Sequence, residues 1–289
     1  MTVLALRVVI APDSFGGALD SVAVTDAIAA GWARTRPNDT LIRAPMADGG
    51  EGTLAAVAAA LGDRAERRSL GTVDALGRPV EADWLLLDGG QAAFVEMAAA
   101  SGLARLEPAE RTPASARAAS TRGTGELLRA ALDAGAGRIT LGLGGSATND
   151  GGSGLITALG ARLLDIEGAT LPPGGAALAR LGRIDVTGLD PRLAAVSLIV
   201  ASDVTNPLCG PAGAAATYGP QKGADPKTVA ELDAALAVYG AAVEAATGRA
   251  VAEIPGAGAA GGTTAALLGF TSAIVRPGVE VISELVGLP

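Results

Sequence analysis

The sequence contains no histidine. That absence excludes imidazole metal ligands, histidine acid–base catalysis and a Ser-His-Asp triad, and leaves proton transfer to carboxylates, lysine, tyrosine or water. Lysine is nearly as scarce, with Lys222 and Lys227 the only two. Cysteine occurs once, at Cys209, which rules out an intrachain disulfide and suits a reducing cytoplasm. Aromatic residues make up 2% of the chain while glycines number 41, so the core has to be Ala, Leu and Val with close backbone approaches. No run approaches the roughly 18 apolar residues of a spanning helix, and the N-terminus lacks a basic region followed by a small-residue cleavage site. The expectation is a cytosolic chain with no membrane partner. Basic residues are outnumbered, 22 against 30 acidic, and the net charge of −8 argues against nucleic acid as a partner.

What is present is a globular chain of 289 residues with 49% hydrophobic content, enough for one large core or two smaller ones. Apolar spacing predicts a βαβα start: strand 6–11, helix 22–33, strand 40–44, a Gly-rich loop at 45–52 and a helix to about 61. Arg67–Val73 and Pro79–Leu87 flank the turn signal "DALGR", and Ala92–Glu96 adds a third strand, so this stretch reads as antiparallel. The change of periodicity places a domain boundary near residue 70. Residues 105–120 read as a polar loop. Helix 124–136, strand 138–143, helix 152–160, strand 197–202, helices 227–247 and 262–270, and a short helix after Pro277 complete the order.

Four loops share one grammar, an apolar strand followed by small residues with one or two carboxylates. They are "APDSFGG" (11–17), "PMADGGEGT" (45–53), "GLGGSATNDGG" (142–152) and "ASDVTNPLCG" (201–210). Glycines with hydroxyl neighbours let backbone N–H groups cradle phosphate, and aspartates beside them are compatible with phosphate when Mg²⁺ sits between. Each loop also has a plainer reading. Asp13 or Ser14 could cap the helix at 22–33, and Asp48 and Glu51 could serve the helix dipole at 51–61. Ser146, Thr148 and Asn149 could be turn residues, and Asp203 with Asn206 an Asx-turn. Four such loops together are harder to explain as turns.

Two other motifs fail. "GAGAAG" at 256–261 matches G-x-G-x-x-G, but Pro255 sits where the preceding strand should end, so helix packing or a helix start is the better reading than a dinucleotide fingerprint. No Walker A loop occurs. In "YGPQKGA" (218–224), Lys222 lies between glycines, placed either to offer a point charge to phosphate or to be solvated at the surface.

"APDSFGGAL", "PMADGGEGT", "GTGELL", "LGLGGSATNDGGSGLITALG", "ASDVTNPLCGPAGAA", "YGPQKGA" and "GAGAAGG", in this order, resemble the bacterial class I glycerate kinases, over essentially the whole chain. The resemblance implies a glycerate 2-kinase that phosphorylates D-glycerate with Mg-ATP to give 2-phosphoglycerate. It also implies an α/β fold of two domains: a discontinuous Rossmann-like domain, 1–70 with part of 263–289, and an inserted mixed α/β domain, 71–262. The expected site has Asp203, Asp48 and Lys222 in catalysis. Asp13, Ser14, Gly49, Gly50, Glu51, Gly144, Gly145, Ser146, Thr148, Asn149 and Asn206 are expected to bind phosphate or substrate, and Asp150 with Asp203 to bind metal. Which carboxylate is base and which holds metal stays open, as does a homo-oligomer.

Two departures accompany the resemblance. The family pattern Asp-Ser-Phe-Lys-Gly reads Asp13-Ser14-Phe15-Gly16-Gly17 here, without its cation. Family members also continue past the equivalent of "LVGLP" into a segment with a Gly-Glu-Gly motif and further strands, so the Rossmann-like domain is expected to be C-terminally truncated. The alternative function is a catalytically impaired relative that only binds glycerate or nucleotide, and an NAD-linked oxidoreductase built on "GAGAAGG" is a third reading.

Overall fold

A computed structural model describes residues 4–15 and 18–288. β1 (Arg7–Ile10) leads through α1 (Ser21–Thr35) to β2 (Thr40–Arg43), which pairs with β1 in parallel, and then to α2 (Thr53–Leu61). The cap of α1 is Asp20, which accepts a hydrogen bond from the Ala23 N–H at 2.7 Å. Asp13 instead closes its own turn by accepting from the Ser14 N–H at 2.6 Å, so neither Asp13 nor Ser14 is the helix cap. Gly16, where the family pattern has lysine, lies outside the described residues.

β3 (Ala65–Val73), β4 (Pro79–Leu87) and β5 (Ala92–Glu96) form the expected antiparallel stretch. The turn in "DALGR" is built by Asp74, whose Oδ1 accepts from the N–H groups of Leu76 and Arg78, both at 2.9 Å. Then come α3 (Ala98–Ser101), α4 (Pro113–Ala118), α5 (Arg122–Asp133), β6 (Arg138–Gly142), α6 (Ser153–Ala158), and a small hairpin of β7 (Arg162–Leu164) and β8 (Arg183–Asp185). β9 (Ser197–Ala201), α7 (Ala214–Tyr218), α8 (Pro226–Thr247), α9 (Ala259–Phe270), β10 (Ile274–Arg276) and α10 (Gly278–Val286) follow.

The large sheet is mixed, in the order β10-β9-β6-β5-β4-β3, with β10, β9, β6 and β5 parallel. Alternation along its strands serves two cores. Val95, Ile139, Leu141, Leu198 and Val200 point into the main core with Leu127, Leu155, Leu232, Tyr239 and Leu267. Leu85, Leu87 and Phe94 point the other way, against Leu54 and Val57 of α2 and Ile282 of α10. Strands buried on both faces read as continuous apolar runs, which is how "RITLGL" and "SLIVAS" look in sequence.

The structure is α/β, as the resemblance implies. The expected boundary at residue 70 falls inside β3, and β10, from the 263–289 stretch, is a strand of the large sheet. The "polar loop" at 105–120 contains α4, opened by a capping box between Thr112 and Ser115. The β7–β8 hairpin and β10 are unanticipated, because three-residue strands carry too little periodicity to register. Exposed large apolar side chains gather in the N-terminal unit, at Leu4, Leu6, Val9, Phe15, Leu19 and Ile28.

Candidate active site

Glu96, Gly142, Ala201 and Arg276 end four adjacent parallel strands and lie in one register row: Glu96 opposite Gly142, Gly142 opposite Ala201, Ala201 opposite Arg276. The carboxyl edge of parallel strands is where α/β proteins open their ligand crevice. The chain leaves this edge through the 142–152 and 201–210 loops, and the 45–53 loop crosses it. Gly144 N–H donates to Gly49 O at 3.1 Å, and Leu143 N–H to Ala201 O at 3.4 Å. The approach is so close that a Cβ on Gly142 would stand 2.6 Å from Gly49 O, and one on Gly144 2.4 Å from Gly50 Cα. Gly49 itself has φ +93° with its Cα beside Ala201, a conformation and a gap that only glycine fills at low cost. The 11–15 loop joins through Pro12 O, which accepts from Met46 N–H at 2.9 Å.

Asp48 and Asp203 face this junction from different loops. Asp48 accepts from the Gly50 N–H at 2.9 Å; Asp203 accepts at 3.1 Å from the N–H of Gly278, the first residue of α10. The two loops meet at that glycine, because a Cβ there would overlap Asp48 O. Each carboxylate thus spends one oxygen on a backbone N–H and stands exposed. Glu51 is exposed beside them, and Gly145 forms the adjoining rim.

Other expected residues are placed differently. Asp150 is fully buried: it accepts from Thr121 N–H and Oγ1 at 2.9 Å each, from Gly154 N–H at 3.1 Å, from Gly152 N–H at 3.2 Å and from Ser153 Oγ at 3.4 Å. Burial pushes its pKa up and these donors oppose the shift, so it joins the start of α5 to the start of α6. With its oxygens so committed and shut from solvent, it is not disposed toward a metal ion. Asn206 donates to Ala212 O at 2.7 Å and Thr217 Oγ1 at 3.2 Å and accepts from Tyr218 Oη at 2.9 Å, which ties its own loop to α7. Lys222 is only 2% exposed; its ammonium donates to Ser146 Oγ at 2.9 Å and Thr148 O at 2.6 Å, and burial pushes its pKa down to about 7. Thr148 and Asn149 are buried, and among the described residues Thr148 Oγ1 and both polar atoms of the Asn149 side chain have no partner.

Glu96 is the residue that sequence reasoning missed. α2 begins at Gly52 without a side-chain cap of its own, and Glu96 supplies it, accepting from Gly52 N–H at 3.2 Å and Leu54 N–H at 2.7 Å. Asp48 and Glu51 therefore do not hold the helix start and are left free for other work. Burial raises the pKa of Glu96, the two N–H groups oppose the rise, and Glu51 adds to it. The signal was one carboxylate closing the otherwise apolar run "AAFVE". The "GAGAAGG" segment is a packing element: Gly258 N–H donates to Asn206 O at 2.9 Å, and Gly261 O accepts from Gly151 N–H at 3.0 Å. It bridges the 142–152 and 201–210 loops and opens α9.

The model of the glycerate kinase family matches residues 8–289. The chain belongs to the glycerate kinase family. Glycerate 2-kinase of Escherichia coli (strain K12) is 44% identical over 283 residues, 98% of this chain and 73% of its own length. Glycerate kinase of Bacillus subtilis (strain 168) is 44% identical, across 97% of this chain and 72% of its own. A crystal structure described as a glycerate kinase 2 from Salmonella typhimurium LT2 superposes with a TM-score of 0.90 at 44% identity, covering 98% of this chain and 75% of that one. No helix among the described residues is long and apolar enough to cross a membrane.

Proposed function

We propose that this family member phosphorylates the 2-hydroxyl of D-glycerate with ATP, in the cytosol, at the junction of the 45–53, 142–152 and 201–210 loops. The observation that carries the reading is that two exposed aspartates, Asp48 and Asp203, come from different loops and are brought together at Gly278, beside glycines that let the loop backbones touch. The exposed Gly145 beside them offers a main-chain N–H to phosphate oxygens. Among the described residues no cluster of three or more carboxylate or thiol groups is poised to hold a metal. Mg²⁺ bound with a nucleotide does not need one, since one or two carboxylates suffice when phosphate oxygens and water complete the shell. Asp48 and Glu51, both exposed, fit that requirement, and the ion when bound would offset charge on the transferring phosphoryl group.

In this reading Gly145 meets phosphate at the exposed rim, Gly49, Gly50 and Gly144 hold the loops close enough to form that rim, and Ser146, whose oxygen accepts from Lys222, keeps its own proton to donate. Asp203 holds the proton leaving the 2-hydroxyl, because α10 fixes one of its oxygens and leaves the other at the surface. Asp48 and Glu51 hold the metal side, and Asp13 and Ser14 border the substrate. Thr148, Asn149 and Asp150 shape the loop from within. The β1–α1–β2 unit and the large sheet would be the two walls of the cleft, corresponding to the family's Rossmann-like and inserted domains. Neither nucleic acid nor a membrane enters this reading.

The test is ADP release from Mg-ATP dependent on D-glycerate, with the product examined by ³¹P NMR. Coupling to one carbon-bound proton marks the 2-phosphate and coupling to two marks the 3-phosphate. ADP release that does not depend on glycerate, or a 3-phosphate product, would refute the reading as stated.

A further inference from the structure

Burying an ammonium costs several kcal/mol, so a fully buried lysine needs a compensating arrangement. Lys222 ends a short 3₁₀ turn, Pro220–Lys222, and is followed by Gly223 at φ +97°, whose Cα is pressed against the Arg111 backbone. The turn cannot swing outward without losing that contact, and it directs the side chain under the 142–152 loop. Two acceptors receive it, Ser146 Oγ and Thr148 O, on either side of Ala147. The same stretch is held by Ala147 N–H to Ser101 O at 2.9 Å and by Leu103 N–H to Gly145 O at 2.7 Å. Beyond it, Asp150 fixes the turn into α6, and its negative charge favours the lysine's charged form against the cost of burial.

From this geometry we infer that Lys222 is a positioning residue: it clamps Ser146 and Thr148 from beneath and so fixes the Gly144–Ser146 rim that meets phosphate, without touching the phosphate itself. Preorganised donors act by not having to move when charge develops, so the clamp should show in turnover more than in binding. The kinetic part of this inference rests on the phosphoryl-transfer reading; the mechanical part does not.

The experiment uses the full 289-residue chain with Lys222→Met and Ser146→Ala, singly and together. In amide hydrogen exchange read by mass spectrometry, Lys222→Met should speed exchange about tenfold or more in peptides covering 144–149, with the β3–β4 peptides unchanged. In steady-state kinetics it should lower kcat by about 10- to 100-fold, as expected for misplacement on the ångström scale, with both KM values within about threefold. The double variant should be no slower than the slower single one, since the lysine acts through Ser146 and the loop. Unchanged exchange at 144–149 overturns the inference. So do additive losses in kcat or a rise in the KM for ATP alone, either of which would put the lysine on the substrate. If Lys222→Met does not fold, Ser146→Ala alone must loosen 144–149, and a rigid loop in that variant overturns the clamp. A wild-type chain with no glycerate-dependent turnover would end the kinase reading while the exchange measurement still decided this one.

Discussion

Replacing Gly144 by alanine tests whether the close meeting of two backbones builds the site. Gly144 lacks the positive φ that would itself forbid alanine, so the effect is steric alone. The new methyl would lie 2.4 Å from Gly50 Cα and 2.9 Å from Gly50 N, and the atoms it meets are main chain, which no rotamer change can move. To reach an ordinary contact the two loops must part by about 1 Å. The Gly144 N–H to Gly49 O bond, already 3.1 Å, does not survive such a displacement. Overpacking of this kind costs about 1–3 kcal/mol and the lost hydrogen bond about 1 more. For a chain of this size that lowers the thermal midpoint by roughly 3–7 °C. Turnover, measured below the midpoints of both proteins, should fall about 10²-fold, the usual consequence of an ångström displacement. Gly71→Ala is the control: it sits in β3 with no atom within 4 Å of its would-be Cβ and no positive φ. That variant should keep full turnover and gain up to about 1 kcal/mol through a less flexible unfolded chain. A Gly144→Ala protein with wild-type midpoint and wild-type kcat would refute the reasoning, because it would mean that the two loops do not need to touch.

Asp203→Asn should keep the bond to Gly278 N–H while removing the charge, so the midpoint should stay within about 2 °C and kcat should drop about 10²- to 10⁴-fold; full glycerate-dependent turnover would remove Asp203 from the chemistry. Glu96 provides a pH test. Its folded pKa lies above the ordinary 4.5, so the fold holds this proton more tightly than the unfolded chain does, and its contribution is complete below 4.5 and lost as pH rises through the raised value. Denaturant titrations from pH 4.5 upward should therefore show wild-type stability declining relative to Glu96→Gln, on top of a constant loss of about 1 kcal/mol for one missing acceptor. A pH-independent difference between the two would show that burial does not strain this carboxylate.

Much of this protein was determined by sequence alone. The lack of histidine removed whole classes of chemistry, and the order β1–α1–β2–α2, the antiparallel β3–β4–β5 and the helix α8 follow from apolar spacing and turn residues that act over a few positions. The four polar loops and the family resemblance likewise depend on residues that are neighbours in the chain. Tertiary structure decided which of those loops meet: the row Glu96–Gly142–Ala201–Arg276 is a matter of strand register, and register depends on how distant segments pack. It also separated residues that look alike in sequence. Asp150 and Asp203 each follow a strand in a loop of small residues, yet one is enclosed by five donors at the starts of α5 and α6 and the other is exposed at the start of α10. Lys222 looks like a surface lysine between glycines, and only the loop folded above it makes it a buried clamp. A residue's type shows what it can donate or accept; whether water or protein receives it is set by atoms dozens of positions away.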